Sequence, residues 1–544
     1  MANLSQIKRE KMLAFLEKLK EQHSDDESLI AINQIERELT SKKYGLVWEQ
    51  HEEEVDVKMR THIPVFTEDK QREIIGNPDS EDFNFLLEGD NLHSLRLLEK
   101  THKGKIDVIY IDPPYNRGKK DFRYDDAYIA EEDTFRNSKW LSFMSERLML
   151  AKRLMTDNGL IFISIDDYEV GPLKVLCDEI FGVENFINIF IWKRNSSGKT
   201  EKDKFTVNTE YVVAYSKSYK YELNDVYKPL AESSQKMYNK DDNDGRGKYA
   251  TVSLQKPRDP GPETTYDYID NSGKVWPCPP KGWRMKYEKI KALENDGRLY
   301  FEGKSLRVKD YWNERKNAGK RIDTLWDDLP ENSAASKTFD DIIGIKGLFN
   351  NPKPVELISR CISISHKNAT VLDFFAGSGT TGQAVLERNK EDGGNRHFIL
   401  CTNNENNICE EVTYQRLKTV ITGKRIDGSE YSKGIPANLK YYKTDFVAKD
   451  SEELYDDLLA HIVEMIQLEY GVKIDNKKYV MIMSDKEMDE FEKDIENYPD
   501  LIAVFINQDV LLSISQEQLL NRLESYIIPD YYFDFELREA GEIW

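Results

Sequence analysis

Cysteine is scarce in this 544-residue chain: Cys177, Cys278, Cys361, Cys401 and Cys409, with no C-x-x-C pair among them. That spacing suggests neither a disulfide framework nor a zinc site, and a reducing, cytoplasmic compartment is expected. Long apolar runs are missing as well; no stretch of about 18 such residues occurs, so no membrane helix is expected. The opening Met1-Ala-Asn-Leu-Ser-Gln-Ile-Lys-Arg-Glu-Lys11 is too charged for a secretory signal. No internal repeat or low-complexity tract is visible. Nor is there a surplus of positive charge: 77 Lys and Arg stand against 98 Asp and Glu, a net of −21. This argues against a protein that coats nucleic acid with a uniformly basic surface. The balance is local, however. Residues 191–330 carry 28 basic against 22 acidic side chains, net +6, whereas residues 441–544 carry 9 against 25, net −16. An acidic tail hides a mildly basic middle.

What is present is enough to fold. Hydrophobic residues make up 39% and aromatics 11%, and the length suits three or four domains. Residues 1–60 read as helical, with Ile7, Met12, Phe15, Leu16 and Leu19 near helical spacing. Residues 61–190 alternate strand and helix. A strand at 83–87 precedes a helix bearing Leu92, Leu95 and Leu98; a strand at 106–111 is apolar almost throughout. A helix then carries Leu141, Met144, Leu148, Ala151 and Met155, stopping near Asn158-Gly159, and a strand follows at 160–165. This order predicts a parallel sheet covered by helices. Periodicity fades over 191–335, where Gly, Pro, Trp and Tyr become frequent, as in an insert. It resumes over 336–440, with a helix through Leu357, Ile358 and Cys361 and strands at 370–373 and 397–401. Residues 441–544 read as a separate small α/β unit. One helix there carries Leu454, Leu458, Leu459, Ile462 and Ile466, and strands lie near 479–483 and 502–506.

Two motifs carry chemistry. Asp373-Phe-Phe-Ala-Gly377-Ser-Gly379-Thr380-Thr381 follows a strand and opens a helix. Glycines there let the backbone turn tightly and approach a ligand. A dinucleotide turn or a plain strand–helix corner fits the pattern too, whereas a phosphate loop is disfavoured because no Gly-Lys-Ser/Thr follows. The second motif, Asp112-Pro113-Pro114-Tyr115, ends a buried strand, where parallel sheets place their sites. It offers a carboxylate, a carbonyl on a residue that cannot donate, and an aromatic face. That set suits an exocyclic amino group on a planar base.

Together these residues resemble the amino-group DNA methyltransferases that use S-adenosylmethionine (SAM). The family's catalytic tetrapeptide is D/N/S-P-P-Y/F, its Asp form usually going with adenine N6. Its SAM motif is F-x-G-x-G, here Phe375-Ala-Gly377-Ser-Gly379. Asp112 precedes Asp373 by 261 residues, the permuted order of the β class. Tyr110 to Asn116, Asp166-Asp167, Glu210 to Lys217, Thr324-Leu-Trp326 and Ile528 to Leu537 are similar to modification (Mod) subunits of type III restriction–modification systems. The resemblance implies a Rossmann-like α/β methyltransferase with circularly permuted motifs. Residues 61–190 would be its catalytic half, 191–335 a target recognition domain, 336–440 the SAM-binding half and 441–544 a domain for protein assembly. It further implies that Asp373, Phe375, Gly377 and Gly379, with Thr380, line the methionine half of SAM, and that Asp90 meets its adenine. Lys353, within Asn351-Pro-Lys353-Pro354, would close the pocket. Many relatives carry an acidic ribose ligand where this chain reads Cys401-Thr-Asn403-Asn-Glu405, leaving Asn403 or Glu405 for that role.

The chemistry so implied needs no metal. Asp112 and the Pro113 carbonyl would accept the two N6 hydrogens of an adenine flipped out of double-stranded DNA, with Tyr115 stacked on the base. The basic stretch Asn116-Arg117-Gly118-Lys119-Lys120 resembles a loop that orders over DNA. In the insert, Lys193, Arg194, Lys281, Arg284, Lys286, Arg307, Lys309, Arg315 and Lys316 interleave with Trp192, Trp276, Trp283, Tyr287, Tyr311 and Trp312. Some of them would grip phosphates or read base edges. A homodimer docking a helicase–nuclease restriction subunit is expected. The acidic tail, with Tyr531-Tyr532-Phe533 and Phe535, would serve protein contact. The rivals are an adenine methyltransferase without a restriction partner, an enzyme acting on RNA or a protein amide, and an idle specificity module. Glutamine-amide enzymes place Asn-Pro-Pro-Tyr after the SAM motif, unlike this chain, and two intact motifs disfavour an idle module. The permutation also expects Asp112 and Gly377 in one cleft.

Overall fold

The computed structural model describes residues 12–20, scattered positions from 28 to 36, 53–118, 123–124, 127–128, 136–197, 205–228, 236–257, 261–303, 305–314, 320–528 and 532–540. Ile7, Lys119, Lys120, Arg315, Lys316 and Tyr531 therefore lie outside the described residues. Contacts divide the chain into two units, one of Met1–Ile189, Lys193–Glu222 and Glu331–Trp544, the other of Phe190–Trp192 and Leu223–Pro330.

The first unit is built on strands β1 (His62–Glu68), β2 (Asn84–Glu88), β3 (Ile106–Ile111), β4 (Met155–Ile165), β5 (Thr209–Ser216), β6 (Thr370–Asp373), β7 (His397–Thr402) and β8 (Asn438–Ala448). They lie side by side as β1-β8-β2-β7-β6-β3-β4-β5. The six strands from β8 to β4 are parallel; β1 adds an antiparallel edge, and β5 pairs antiparallel with β4. Val371 and Leu372 of β6 pair with Val108 and Ile109 of β3. All four side chains are fully buried, as a parallel sheet covered on both faces demands. The ends of β3 and β6 therefore stand side by side despite their distance in sequence.

The helix expected to stop near Asn158 is α2 (Arg136–Leu154), following α1 (Asn91–His102), and it ends at Leu154. Met155 is already paired with Ile106 of β3, so strand pairing overrides the helical spacing. α2 also braces the sheet. Arg147 is fully buried and donates to Glu53 at 2.6 and 3.0 Å and to Asn91 Oδ1 at 2.6 Å, while Asn91 Nδ2 reaches Phe374 O at 2.7 Å. Arg147→Ala strands the Glu53 carboxylate in the interior and is expected to destabilise the fold by about 3–5 kcal/mol, read as a lower denaturation midpoint.

The boundary expected at 440/441 falls within β8, a central strand hydrogen-bonded to both β1 and β2. The tail adds a three-stranded parallel sheet, β9 (Tyr479–Ile482), β10 (Ala503–Asn507) and β11 (Glu524–Ile528). Its single expected helix is two, Leu454–Leu459 and Ile462–Tyr470, broken where His461 Nδ1 comes within 3.0 Å of Phe66 O. Tyr532 and Phe533 are buried in the same core as Leu454, Leu458 and Ile462, so these two rings are committed to internal packing. Phe535 is 66% exposed.

The insert begins later than expected, since β5 returns the chain to the first unit before Leu223. The second unit holds an antiparallel sheet of Tyr249–Ser253, Ser305–Tyr311 and Leu299–Glu302. Trp276 and Trp283 pack with Leu254, Tyr268, Ile290, Leu299 and Leu306 as its core. They are not surface rings between cations. Several expected phosphate-gripping cations have internal partners: Arg307 donates to Thr251, Lys309 to Asp242 and Arg284 to the Gln255 carbonyl. Among the described residues no helix is long and apolar enough to cross a membrane.

Candidate active site

At the carboxyl ends of β3 and β6 lies a cleft of about 380 Å³ lined by Asp112, Pro113, Tyr115, Lys353, Asp373, Phe375, Gly377 and Thr380, among others. Asp112 and Gly377 therefore share one cleft. Gly379 is the left-handed residue (φ +73°) preceding helix α5 (Thr380–Asp392), which follows α3 (Val170–Phe181) and α4 (Val355–Ser363) in chain order. Asp90 and Asn403 are not among the residues lining the cleft. They stand just beyond β2 and β7, neighbouring strands whose carboxyl ends share the rim. Asp90 caps α1 by accepting from Leu92 N at 2.7 Å, and Asn403 is exposed.

The Asp-Pro-Pro-Tyr segment is fixed from several sides. Trp140 Nε1 donates to Pro114 O at 2.7 Å, and Arg117 Nε donates to Asp166 Oδ2 at 2.5 Å. Asn116, buried and left-handed at φ +55°, donates to Glu169 Oε1 at 2.7 Å. Asp166 and Glu169 follow β4, so the strand next to the catalytic one supplies the braces.

Inside the cleft the charges are closely set. Lys353 Nζ donates to Asp112 Oδ1 and Oδ2 at 2.9 and 2.8 Å and to Tyr115 OH at 2.8 Å. Tyr115 OH in turn donates to Asp112 Oδ1 at 2.8 Å. Glu210, at the start of β5, lies 3.5 Å from Lys353 Nζ and accepts from Arg194 Nη1 at 2.9 Å. Burial disfavours the Lys353 ammonium, but Asp112 and Glu210 outweigh it and hold its pKa above the ordinary lysine value. Burial likewise works against the Glu210 carboxylate, yet Lys353, Arg194 and Arg117 hold its pKa low. Lys353, expected to close a cofactor pocket, thus also pairs with the Asp112 carboxylate. Glu169 carries no role in the sequence reading, Arg194 figures there only among the insert cations, and Glu210 only as the first residue of a stretch similar to Mod subunits.

Gly377 adopts φ +48°, and a Cβ there would meet no protein atom closer than 3.7 Å, so its face toward the cleft is open. Asp373 is buried. It accepts from Phe375 N at 3.0 Å and from the Thr381 hydroxyl, and burial pushes its carboxyl up to about 7. Among the described residues no group of three or more His, Cys, Asp or Glu side chains is placed to hold a metal ion.

A mostly parallel sheet with a glycine turn after one central strand and Asp-Pro-Pro-Tyr after its neighbour defines a Rossmann-like methyltransferase of permuted motif order. Residues 106–414 match the DNA methylase family, and the chain belongs to that family. It is similar to the StyLTI Mod subunit, a type III restriction-modification enzyme of Salmonella typhimurium, with 35% identity over 62% of this chain and 55% of that one. It is 32% identical to the type II methyltransferase M.KpnI of Klebsiella pneumoniae over 66% of this chain and 90% of that one. It is 30% identical to the EcoPI Mod subunit of Escherichia phage P1 over 59% and 58%. The chain spans little more than half the length of these two Mod subunits.

The Glu169 brace makes stability depend on pH. Burial raises its carboxyl from 4.5 to about 7, against the opposing pull of Asn116 and Arg136. The folded state then holds the proton more tightly than the unfolded state. The Glu169 contribution to stability is fullest below pH 4.5 and is lost as pH rises through 7, up to roughly 3 kcal/mol. Comparing unfolding midpoints of wild type and Glu169→Gln from pH 4.5 to 8 isolates this part; the variant is expected to fall less steeply.

Proposed function

We propose that this protein transfers a methyl group from SAM to N6 of an adenine flipped out of double-stranded DNA, as the modification subunit of a type III restriction–modification system. The observation that carries this reading is the convergence of Asp112-Pro113-Pro114-Tyr115 and the Gly377 turn on one cleft. Asp373, Phe375, Gly377 and Thr380 would hold the methionine part of SAM, with the start of α5 favouring its carboxylate. Asp90 and Asn403, at the neighbouring strand ends, are assigned to the adenosine part. When bound, SAM supplies an electrophilic methyl on a sulfonium.

The rest of the chemistry belongs to this chain. Asp112 and the Pro113 carbonyl accept from the exocyclic amine, localising a lone pair otherwise delocalised into the ring. The Tyr115 ring, fixed by its hydroxyl, offers the stacking face. Asp112 also stands where the proton leaves the methylated nitrogen, so positioning and charge stabilisation are the main contributions. A homodimer with a helicase–nuclease partner is part of this proposal, supported by the likeness to Mod subunits. The match over 90% of M.KpnI favours a second reading, a methyltransferase acting without a restriction partner.

Labelled SAM incubated with plasmid DNA, followed by nucleoside analysis and single-molecule sequencing, tests the activity. N6-methyladenine at one short motif is expected. Label in N4-methylcytosine, RNA or protein, or in nothing, would overturn the adenine assignment.

A further inference from the structure

Lys353 has three N–H donors, and they meet Asp112 Oδ1, Asp112 Oδ2 and Tyr115 OH. Asp112 supplies one of the two acceptors a target amine has to use. The ammonium therefore competes with the amino group for that carboxylate. Its side chain is 8% exposed, so it cannot retreat into water without leaving the cleft. A second carboxylate waits beside it: Glu210 Oε2, 3.5 Å from Nζ, on a side chain that is 5% exposed. Arg194 holds the other oxygen of that carboxylate at 2.9 Å, which keeps Oε2 turned to the cleft.

We propose that Lys353 is a placeholder for the target amine: it occupies Asp112 in the free enzyme and passes to Glu210 when the base arrives. The proposal rests on the amino-group methyltransferase reading above. The transfer does two things at once. It opens an Asp112 oxygen to one of the two amine hydrogens, the other going to the Pro113 carbonyl. It also takes a positive charge away from Asp112, raising the proton affinity of that carboxylate when it is needed. An ammonium left on Asp112 would oppose proton removal from the methylated nitrogen. Glu210 is thus a positioning residue that acts through Lys353. The charges within the cleft fit this role, since burial opposes the ionised forms of both groups while each holds the other charged.

The test is a double-mutant cycle of Glu210→Gln, Lys353→Met and the pair, using full-length protein and the duplex identified by sequencing. The readouts are kcat, KM for DNA, and duplex affinity without SAM. Glu210→Gln is expected to lower kcat on the order of tenfold in the wild-type background and to cost little once Lys353→Met has removed the placeholder. Equal costs in both backgrounds would mean Glu210 merely supports the fold, and the proposal falls. Should Lys353→Met be inactive, duplex affinity decides. Glu210→Gln must then weaken binding of the adenine duplex and spare one carrying purine, which lacks the amino group; equal weakening overturns the transfer. An inactive wild type would instead sink the methyltransferase reading itself.

Discussion

Asp112→Ala is expected to remove methyl transfer, by about 10³-fold or more, while SAM binding measured by calorimetry stays within about threefold of wild type. Asp112 follows β3, and the glycine turn around Gly377 follows the neighbouring strand β6. The substitution also leaves Lys353 with Glu210 as its remaining carboxylate partner in the cleft. A loss of stability therefore accompanies the loss of activity, and Asp112→Asn separates the two because it keeps the shape and one acceptor. If Asp112→Ala lost SAM as completely as it lost transfer, the division of the cleft into acceptor and cofactor sides would be wrong.

Gly377→Asp should do the opposite. At φ +48° the turn is left-handed, a conformation that costs an ordinary residue about 1–2 kcal/mol. Its Cβ would stand 3.7 Å from the Phe349 ring and the Phe375 carbonyl, and the new carboxylate extends into the cleft. SAM affinity should drop on the order of hundredfold, equivalent to about 2.7 kcal/mol. Gly377→Ala, with the same backbone strain and no charge, should lose far less. Duplex affinity without SAM should be kept in both variants, since the base-facing residues are untouched. Equal SAM loss in the Ala and Asp variants would place the cofactor elsewhere.

Much of the sheet was legible because its central strands are buried on both faces. Ile106–Ile111, Thr370–Asp373 and His397–Thr402 read as apolar runs, and the two chemical motifs sit directly at strand ends. The strands β1 and β8 were not legible. In β8 the run Asn438-Leu-Lys-Tyr-Tyr-Lys-Thr-Asp looks like a polar loop, yet Lys440 is wholly buried, bound to Glu68 at 2.5 Å and Glu73 at 3.1 Å. A buried ion pair hides a strand from any reading of hydrophobic pattern, because its partner lies 372 residues away. The cleft shows the same limit. Asp112 announced itself by its motif, but Lys353 and Glu210 acquire their roles only from neighbours the chain brings in from afar. The insert misled in another way, its tryptophans being the core of the second unit.

The order of strands has a consequence for how the protein is made. β2 and β3 leave the ribosome early and close together, but in the finished sheet β7 and β6 lie between them, and both are encoded some 260 residues or more downstream of β3. β8, which separates β1 from β2, is later still. The nascent chain must hold its first strands apart, or let them separate again, until β6, β7 and β8 have emerged. Sheet closure and assembly of the cleft then wait on strands encoded far downstream of the first ones. A ribosome stalled between residues 403 and 438 leaves a chain with every candidate site residue named above and an unfinished sheet beneath them.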